Sequence, residues 1–491
     1  MTHSIDEARR GVEQSWSGVL AFAETEQRLS LWEFETKLWF LMLALGRALV
    51  GLFLARQAAR PSAAEYPHEG QRYQRAEVRT SEVGTRFGKV SFRRAVGRVV
   101  GGARAAADLP LDRALGLCSG FSLGVVTALG KLCAQMAYAA ARVQFKDTYD
   151  WAPSPRATLR MVDALGAEAR GFLEQAPAPD EDGEILVIQV DGKGAPMISA
   201  RELGRRCRPH EATAGETQRH SRRHRRRRHG PKIRRTKGKK SKNAKVAVVG
   251  VLYTLKRTEK GLEGPIGKRV MATFDTHEAL FHWLHREALK RGYPHKEAVF
   301  LADGLEHIWR LQERYFPQAV PCVDWYHVVE KLWAAGEALY QEGSDELREW
   351  VADQSERLRR SAAGAIRAEL ARQWLALPKT GPGNKGKRER LAAALRYLDM
   401  HRHRLRYAEL RKRDLDIGTG AVEGAVRNLV GLRLDGPGMR WSRDRAECVL
   451  HLRCILINGQ WQAFENYIAT LGEHFTLAPK PIPAEPYAAA A

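Results

Sequence analysis

A mixed α/β fold is predicted, and three observations predict it. Three apolar runs, 185–194, 245–255 and 268–275, follow one another with no helical pattern between them. Two more, 297–304 and 319–327, alternate with amphipathic helices at 276–292 and 308–316. From 328 to 415 Ala, Leu, Arg and Glu dominate, and no strand signal returns. Consecutive strands favour an antiparallel meander, and helix crossovers add parallel strands, so the sheet is expected to be mixed. An all-helical insertion interrupts it, and a mainly helical N-terminal region precedes it.

Taken in order, residues 1–75 form an N-terminal helical region. It contains "LWFLMLALGRALVGLFLAR", 38–56, where Arg47 divides two apolar stretches that are each too short to span a bilayer. A buried or oligomerising helix is expected there, with a membrane helix as the alternative. Residues 76–178 carry a hairpin around Gly84–Gly88, a helix over 121–145 and a helix over 154–175. Ser154 is placed to cap the last of these, with Pro155 at its first position. A helix pair of this kind, with Arg156 and Arg160 near the start of its second member, has the layout of a helix-turn-helix DNA reader, although plain core packing gives the same pattern. The acidic linker "APAPDEDGE", 176–184, leads into the sheet region, 179–330. The helical insertion spans 331–415. Core helices follow over 416–470, and 471–491 is a loose tail.

Charge is the dominant global feature: 80 Lys and Arg against 57 Asp and Glu give a net +23 in 491 residues. That surplus points to a polyanionic partner. It is concentrated in "RHSRRHRRRRHGPKIRRTKGKKSKNAK", inside a stretch with no acid from Thr217 to Arg257. Such a run repels itself, so 204–243 is predicted to be a disordered loop, either merely solvated or a phosphate clamp. Arg225, Arg226, Arg227, Arg228, Arg234, Arg235, Lys239 and Lys240 are the candidate phosphate contacts. They position DNA without reading its sequence. Six dispersed cysteines with no CxxC pair fit neither a zinc ribbon nor a disulfide framework. Reduced thiols and a cytoplasmic, nucleoid-associated location are expected, with no membrane partner.

Two apolar strands end in Asp-Gly, at Asp191 and Asp303. On neighbouring strands both acids would project at one sheet edge, where α/β folds place their ligands. Facing carboxylates repel, and a hard divalent cation such as Mg²⁺ removes the conflict. Glu423 is a third candidate, a lone acid among Ala421, Val422, Gly424 and Ala425, expected to be buried and therefore to need a cation. Gly418 and Gly420 before it would admit a phosphate close to the backbone. Asp324 and Asp275 compete with Asp303 for the second position.

These pieces resemble the DDE-type transposases of bacterial insertion sequences, in the Mutator-like group and closest to the Kra-type insertion-sequence family. The resemblance rests on Asp191-Gly192-Lys193, on "FLADG" with Asp303, on "CVDWYHVVEKLW" with its Asp324-x-x-His327 element, and on "GTGAVEGAVRNLVGLRLDGPGMRW" with Glu423. It covers roughly residues 76–460, and the last two motifs are the most specific. The resemblance implies a ribonuclease-H-like fold and Mg²⁺-dependent cutting and joining of double-stranded DNA by two ions, with Mn²⁺ as a substitute. It implies Asp191, Asp303 and Glu423 as catalytic metal ligands, supported by Asp324, His327 and Gly420. By analogy it implies at least a dimer. Arg440 and Trp441 could grip a phosphate and stack on a base, or be ordinary core. The long basic run falls between the first two strands as an insertion peculiar to some members would, and the resemblance carries no role onto it. A transposase-derived DNA-binding protein without cleavage, or a ribonuclease-H-type nuclease that only hydrolyses, are the alternative readings.

Overall fold

The computed structural model describes residues 4–24, 28–61, 63–101, 107–199, 202 and 244–477. The basic run, with Arg225, Arg226, Arg227, Arg228, Arg234, Arg235, Lys239 and Lys240, lies outside the described residues, as do Cys207 and the end of the tail. The chain divides into two compact units, 1–176 with 448–491, and 177–447.

In the first unit, α1 (Ile5–Ala23) and α2 (Leu31–Ala58) are capped by Ser4 and Ser30. Ser30 and Glu33 form a reciprocal capping box, the local reason α2 starts where it does. The 38–56 segment is thus part of one helix. Leu54 packs against Val83, Val90 and Phe92, and Arg47 Nε donates to the Phe87 carbonyl at 3.0 Å. By length and composition α2 could cross a membrane, and only 22% of its apolar window is buried, with Trp32, Trp39 and Phe53 exposed.

Three antiparallel strands follow: β1 (Glu65–His68), β2 (Gln71–Thr85) and β3 (Gly88–Val99). The hairpin turns at Arg86–Phe87, inside the expected interval, but the strands begin before residue 76. The first half of β2 is exposed on both faces, so it carries no alternating apolar signal. After α3 (Pro110–Ala114), the helix expected over 121–145 is two, α4 (Leu123–Gln135) and α5 (Tyr138–Tyr149). Met136 and Ala137 are extended between them. No Gly or Pro marks that break. In α6 (Pro155–Gln175), Ser154 Oγ accepts from Ala157 N–H at 3.2 Å, as its sequence position suggests. The α6 core face meets the C-terminal helix Trp461–Leu471 through Phe172 and Phe464, 5.2 Å between centroids.

The second unit is built on β4 (Ile185–Pro196), β5 (Ala244–Thr258), β6 (Gly261–Thr273), α7 (His277–Lys290), β7 (Glu297–Ala302), α8 (Glu306–Tyr315), β8 (Val320–Val323) and α9 (Trp325–Gly336). The sheet order is β6-β5-β4-β7-β8. β4, β5 and β6 are antiparallel, while β4, β7 and β8 are parallel, giving the mixed sheet that the element order predicts. Ile185–Val190 are at most 1% exposed, because helices cover both faces of a central strand and no alternation is needed.

One expectation about this sheet fails. β4 does not end at Asp191 but runs to Pro196, with Asp191 opposite Val249 and Gly192 opposite Val248. Gly192 is therefore not a turn residue; a Cβ there would come 2.9 Å from Val246 Cγ1 and 3.2 Å from the Ala247 carbonyl. β6 likewise starts at Gly261, ahead of the expected 268. The insertion is helical as expected, with α10 (Asp345–Arg359), α11 (Ala363–Ala376), α12 (Asn384–His401) and α13 (Tyr407–Lys412). Then come α14 (Gly420–Val426), a π-helical turn over Arg427–Gly431 and α15 (Leu432–Leu434).

Candidate active site

Strand register brings the acids together. Val190 pairs with Ala302 between β4 and β7, and Ala302 pairs with Val323 between β7 and β8. The next residue on each strand is Asp191, Asp303 and Asp324, so three aspartates stand at one level on strands about 4.8 Å apart.

Their environments differ. Asp324 is fully buried. Its Oδ1 accepts from Thr419 N–H at 2.7 Å, and its Oδ2 from His327 N–H at 2.9 Å. Oδ2 also meets His327 Nδ1 at 2.7 Å. Burial works against ionisation, but these bonds outweigh it and hold the Asp324 carboxyl below its usual range. The bond to Asp324 lifts His327 to about 9, so the ring carries a proton at neutral pH. Asp324 is a joint between α9 and the turn before α14.

Asp191 and Asp303 are half-buried and use one oxygen each locally. Asp191 Oδ1 accepts from Gly192 N–H at 2.6 Å, and Asp303 Oδ1 from Leu305 N–H at 3.0 Å. Burial raises the Asp191 carboxyl, the Gly192 N–H opposes it, and the charges of Asp303 and Glu423 raise it further, while His327 lowers it. These couplings put Asp191, Asp303, Glu423 and His327 in one electrostatic neighbourhood. Glu423 is exposed, contrary to expectation. The helical period turns Val422, Ala425 and Val426 inward and the glutamate outward. Thr419 Oγ1 donates to Glu423 Oε1 at 3.2 Å.

Among the described residues, no three His, Cys, Asp or Glu side chains gather at metal-binding range. The donor chemistry of Asp191, Asp303 and Glu423 nevertheless fits Mg²⁺: oxygen-only, and mutually repelling in a way a cation relieves. Gly420 opens α14, and a Cβ there would meet nothing within 4 Å, leaving its backbone open to approach. At Gly418 a Cβ would come 2.9 Å from the Tyr326 ring, so that side chain would have to shift.

A chain of hydrogen bonds, buried at Gln189 and Tyr253, supports the arrangement. Gln189 lies two residues before Asp191 and is 1% exposed. Its Oε1 accepts from Val422 N–H at 2.9 Å, and its Nε2 donates to the Tyr253 hydroxyl at 3.2 Å. Tyr253 in turn donates to Asp416 Oδ2 at 2.8 Å. The strand bearing Asp191 is thereby pinned to the helix bearing Glu423. Sequence reasoning missed Gln189, although a lone amide in the run "ILVIQV" was a signal.

The remaining candidates are scattered. Asp275 lies at the start of α7, where its Oδ1 accepts from Thr276 N–H at 2.9 Å. Arg440 is 60% exposed, with Glu202 at 3.7 Å. Trp441 is 7% exposed, donates its indole N–H to the Leu434 carbonyl at 3.0 Å and lies under the Arg433 guanidinium. It is a core residue and offers no face to a base. Arg156 and Arg160 are exposed on α6, in the other unit. No family model and no curated protein matches the chain.

Proposed function

We propose that the chain is a DDE-type transposase that cuts and joins double-stranded DNA, with a ribonuclease-H-like core in the second unit. The observation that carries this reading is the alignment of Asp191 with Asp303 at neighbouring parallel strands, with Glu423 close enough to raise the Asp191 carboxyl. Three antiparallel strands continued by two parallel ones, then a helical insertion before the helix of the last acid, support the same fold. Asp191, Asp303 and Glu423 would hold two Mg²⁺, with Mn²⁺ as a substitute. Bound there, such ions supply an activated water or 3′-hydroxyl and charge stabilisation for an in-line displacement.

The protein's own groups organise that site. Thr419 orients Glu423, the His327 cation lowers the charge repulsion on Asp191, and Gln189 fixes strand to helix. No covalent enzyme intermediate is involved. The net +23 charge favours phosphate contacts, with Arg156, Arg160 and Arg440 as exposed candidates. Two DNA ends call for at least a dimer, working in the nucleoid. The test is a strand-transfer assay with purified protein, Mg²⁺ and labelled end DNA. Joined product is expected. Hydrolysis without joining supports a nuclease, and binding without either supports a non-catalytic DNA-binding protein.

A further inference from the structure

The corner that carries Asp303 is roofed by the helical insertion. Gly304 does not have a positive φ, so no turn geometry demands glycine there. A Cβ would instead lie 2.3 Å from Tyr397 Cε2 and 2.8 Å from the Tyr397 hydroxyl oxygen. The Asp303-Gly304 dipeptide is therefore shaped by a ring from α12, almost a hundred residues downstream. That ring is held in place. His401, one helical turn on, meets it edge-on at 4.6 Å, and Lys331 Nζ lies 5.5 Å from its centroid.

The hydroxyl at the end of this ring is buried and has no hydrogen-bond partner among the described residues. Burial, and then the negative charges of Asp303, Asp324 and Glu330, keep the phenol well above its usual range, so it remains a donor. Of those acids, Asp324 has both oxygens engaged and Glu330 is exposed. Asp303 accepts the Leu305 N–H through Oδ1 alone. A buried donor without an acceptor is destabilising, and phenylalanine would fill the same space without that cost. Local rules broken in this way cluster at functional sites.

We propose that Tyr397 is a positioning residue for Asp303: its ring sets the corner at Gly304, and its hydroxyl donates to Asp303 Oδ2 when the site takes up a phosphodiester. The helical insertion thus reaches the acids through one side chain. This inference rests on the transposase reading for its ligand, not for the link between Tyr397 and Asp303.

The test uses Tyr397→Phe in the full chain. Tm is expected to rise by a few degrees, because the unpartnered hydroxyl is gone. At the same time kcat for DNA cleavage is expected to fall about tenfold with KM unchanged, as for an interaction used only in the transition state. A lower Tm with a lower rate overturns the proposal in favour of packing, and an unchanged rate overturns it in favour of inert core. With saturating end DNA bound, Tyr397→Phe and Asp303→Asn, alone and combined, are expected to shift Tm non-additively. Additive shifts with DNA bound overturn the link to Asp303 whether or not the wild type cuts DNA. A wild type that cuts none overturns the functional reading and leaves the Tm cycle to decide this one.

Discussion

The β7–β8 corner and the β4–β7 corner of the same sheet hold aspartates at one level, yet the two corners are built for opposite ends. At the first, Asp324 is sealed from solvent and each of its oxygens holds a backbone N–H. At the second, Asp191 and Asp303 stay half-open, use one oxygen each, and repel one another and Glu423. A carboxylate satisfied by its own protein stabilises a fold. One left short of donors is available to a ligand, and strains the fold until that ligand arrives.

Mutations should separate the corners. Asp191→Asn and Glu423→Gln are expected to lower DNA cleavage by at least about a thousandfold, the scale of losing a principal electrostatic contact. DNA affinity should hold, and Asp191→Asn should leave Tm level or higher because a repelled charge is gone. A mutant that still cuts at wild-type rate removes that acid from the mechanism. Asp324→Ala should do the reverse at the level of the fold. It strands the Thr419 N–H and the His327 cation, and breaking a buried pair costs about 3–5 kcal/mol. Chemical denaturation measures this, and a loss under about 1 kcal/mol would mean the joint is dispensable.

Gln189→Leu probes the pin between the corners. It should cost about 1–3 kcal/mol by leaving the Val422 N–H unpaired. It should also slow cleavage, because Glu423 loses its fixed offset from Asp191; full activity would show that the offset is set elsewhere. The His327–Asp324 pair adds a pH signature. The folded His327 value, about 9, exceeds the ordinary value near 6.5, so its contribution is complete below about pH 6.5 and is lost as pH rises through about 9. Asp324 is shifted down, so its contribution is present above about pH 3.9 and is lost as pH falls through its folded value. Tm should therefore decline from pH 7 to pH 9.5 in the wild type and stay flatter in His327→Gln. Parallel curves would break the assignment. The smallest effect is expected at the periphery: deleting 219–242 should flatten the salt dependence of DNA binding, by about 0.9 in log–log slope for each phosphate that is no longer neutralised.

How much of this was legible in the sequence depends on whether the signal was local. The strands of the sheet were readable because Ile185–Ile188 and Ala298–Ala302 are unbroken apolar runs, and the mixed topology followed from element order. Asp191 and Asp303 were readable for the same reason. The length of β4 was not: Gly192, Gly194 and Pro196 are poor strand formers, held extended by pairing with β5, a choice made by the partner strand. The break after Gln135 and the early start of β2 carry no breaker or alternation. The burial of Glu423 was misjudged, because apolar neighbours on a helix mark the opposite face. Gln189 and Tyr397 act through partners far away in sequence, Val422 and Gly304, and no local pattern announces such partners.

The ladder from Asp191–Val249 to Pro196–Ala244 continues past the acid for five residues. It closes the base of everything between Pro196 and Ala244. Because the cost of joining chain ends grows only with the logarithm of the segment between them, that interval can lengthen, shorten or change composition with little effect on the strand that carries Asp191. The sheet itself, rather than the segment it closes off, therefore sets where Asp191 stands.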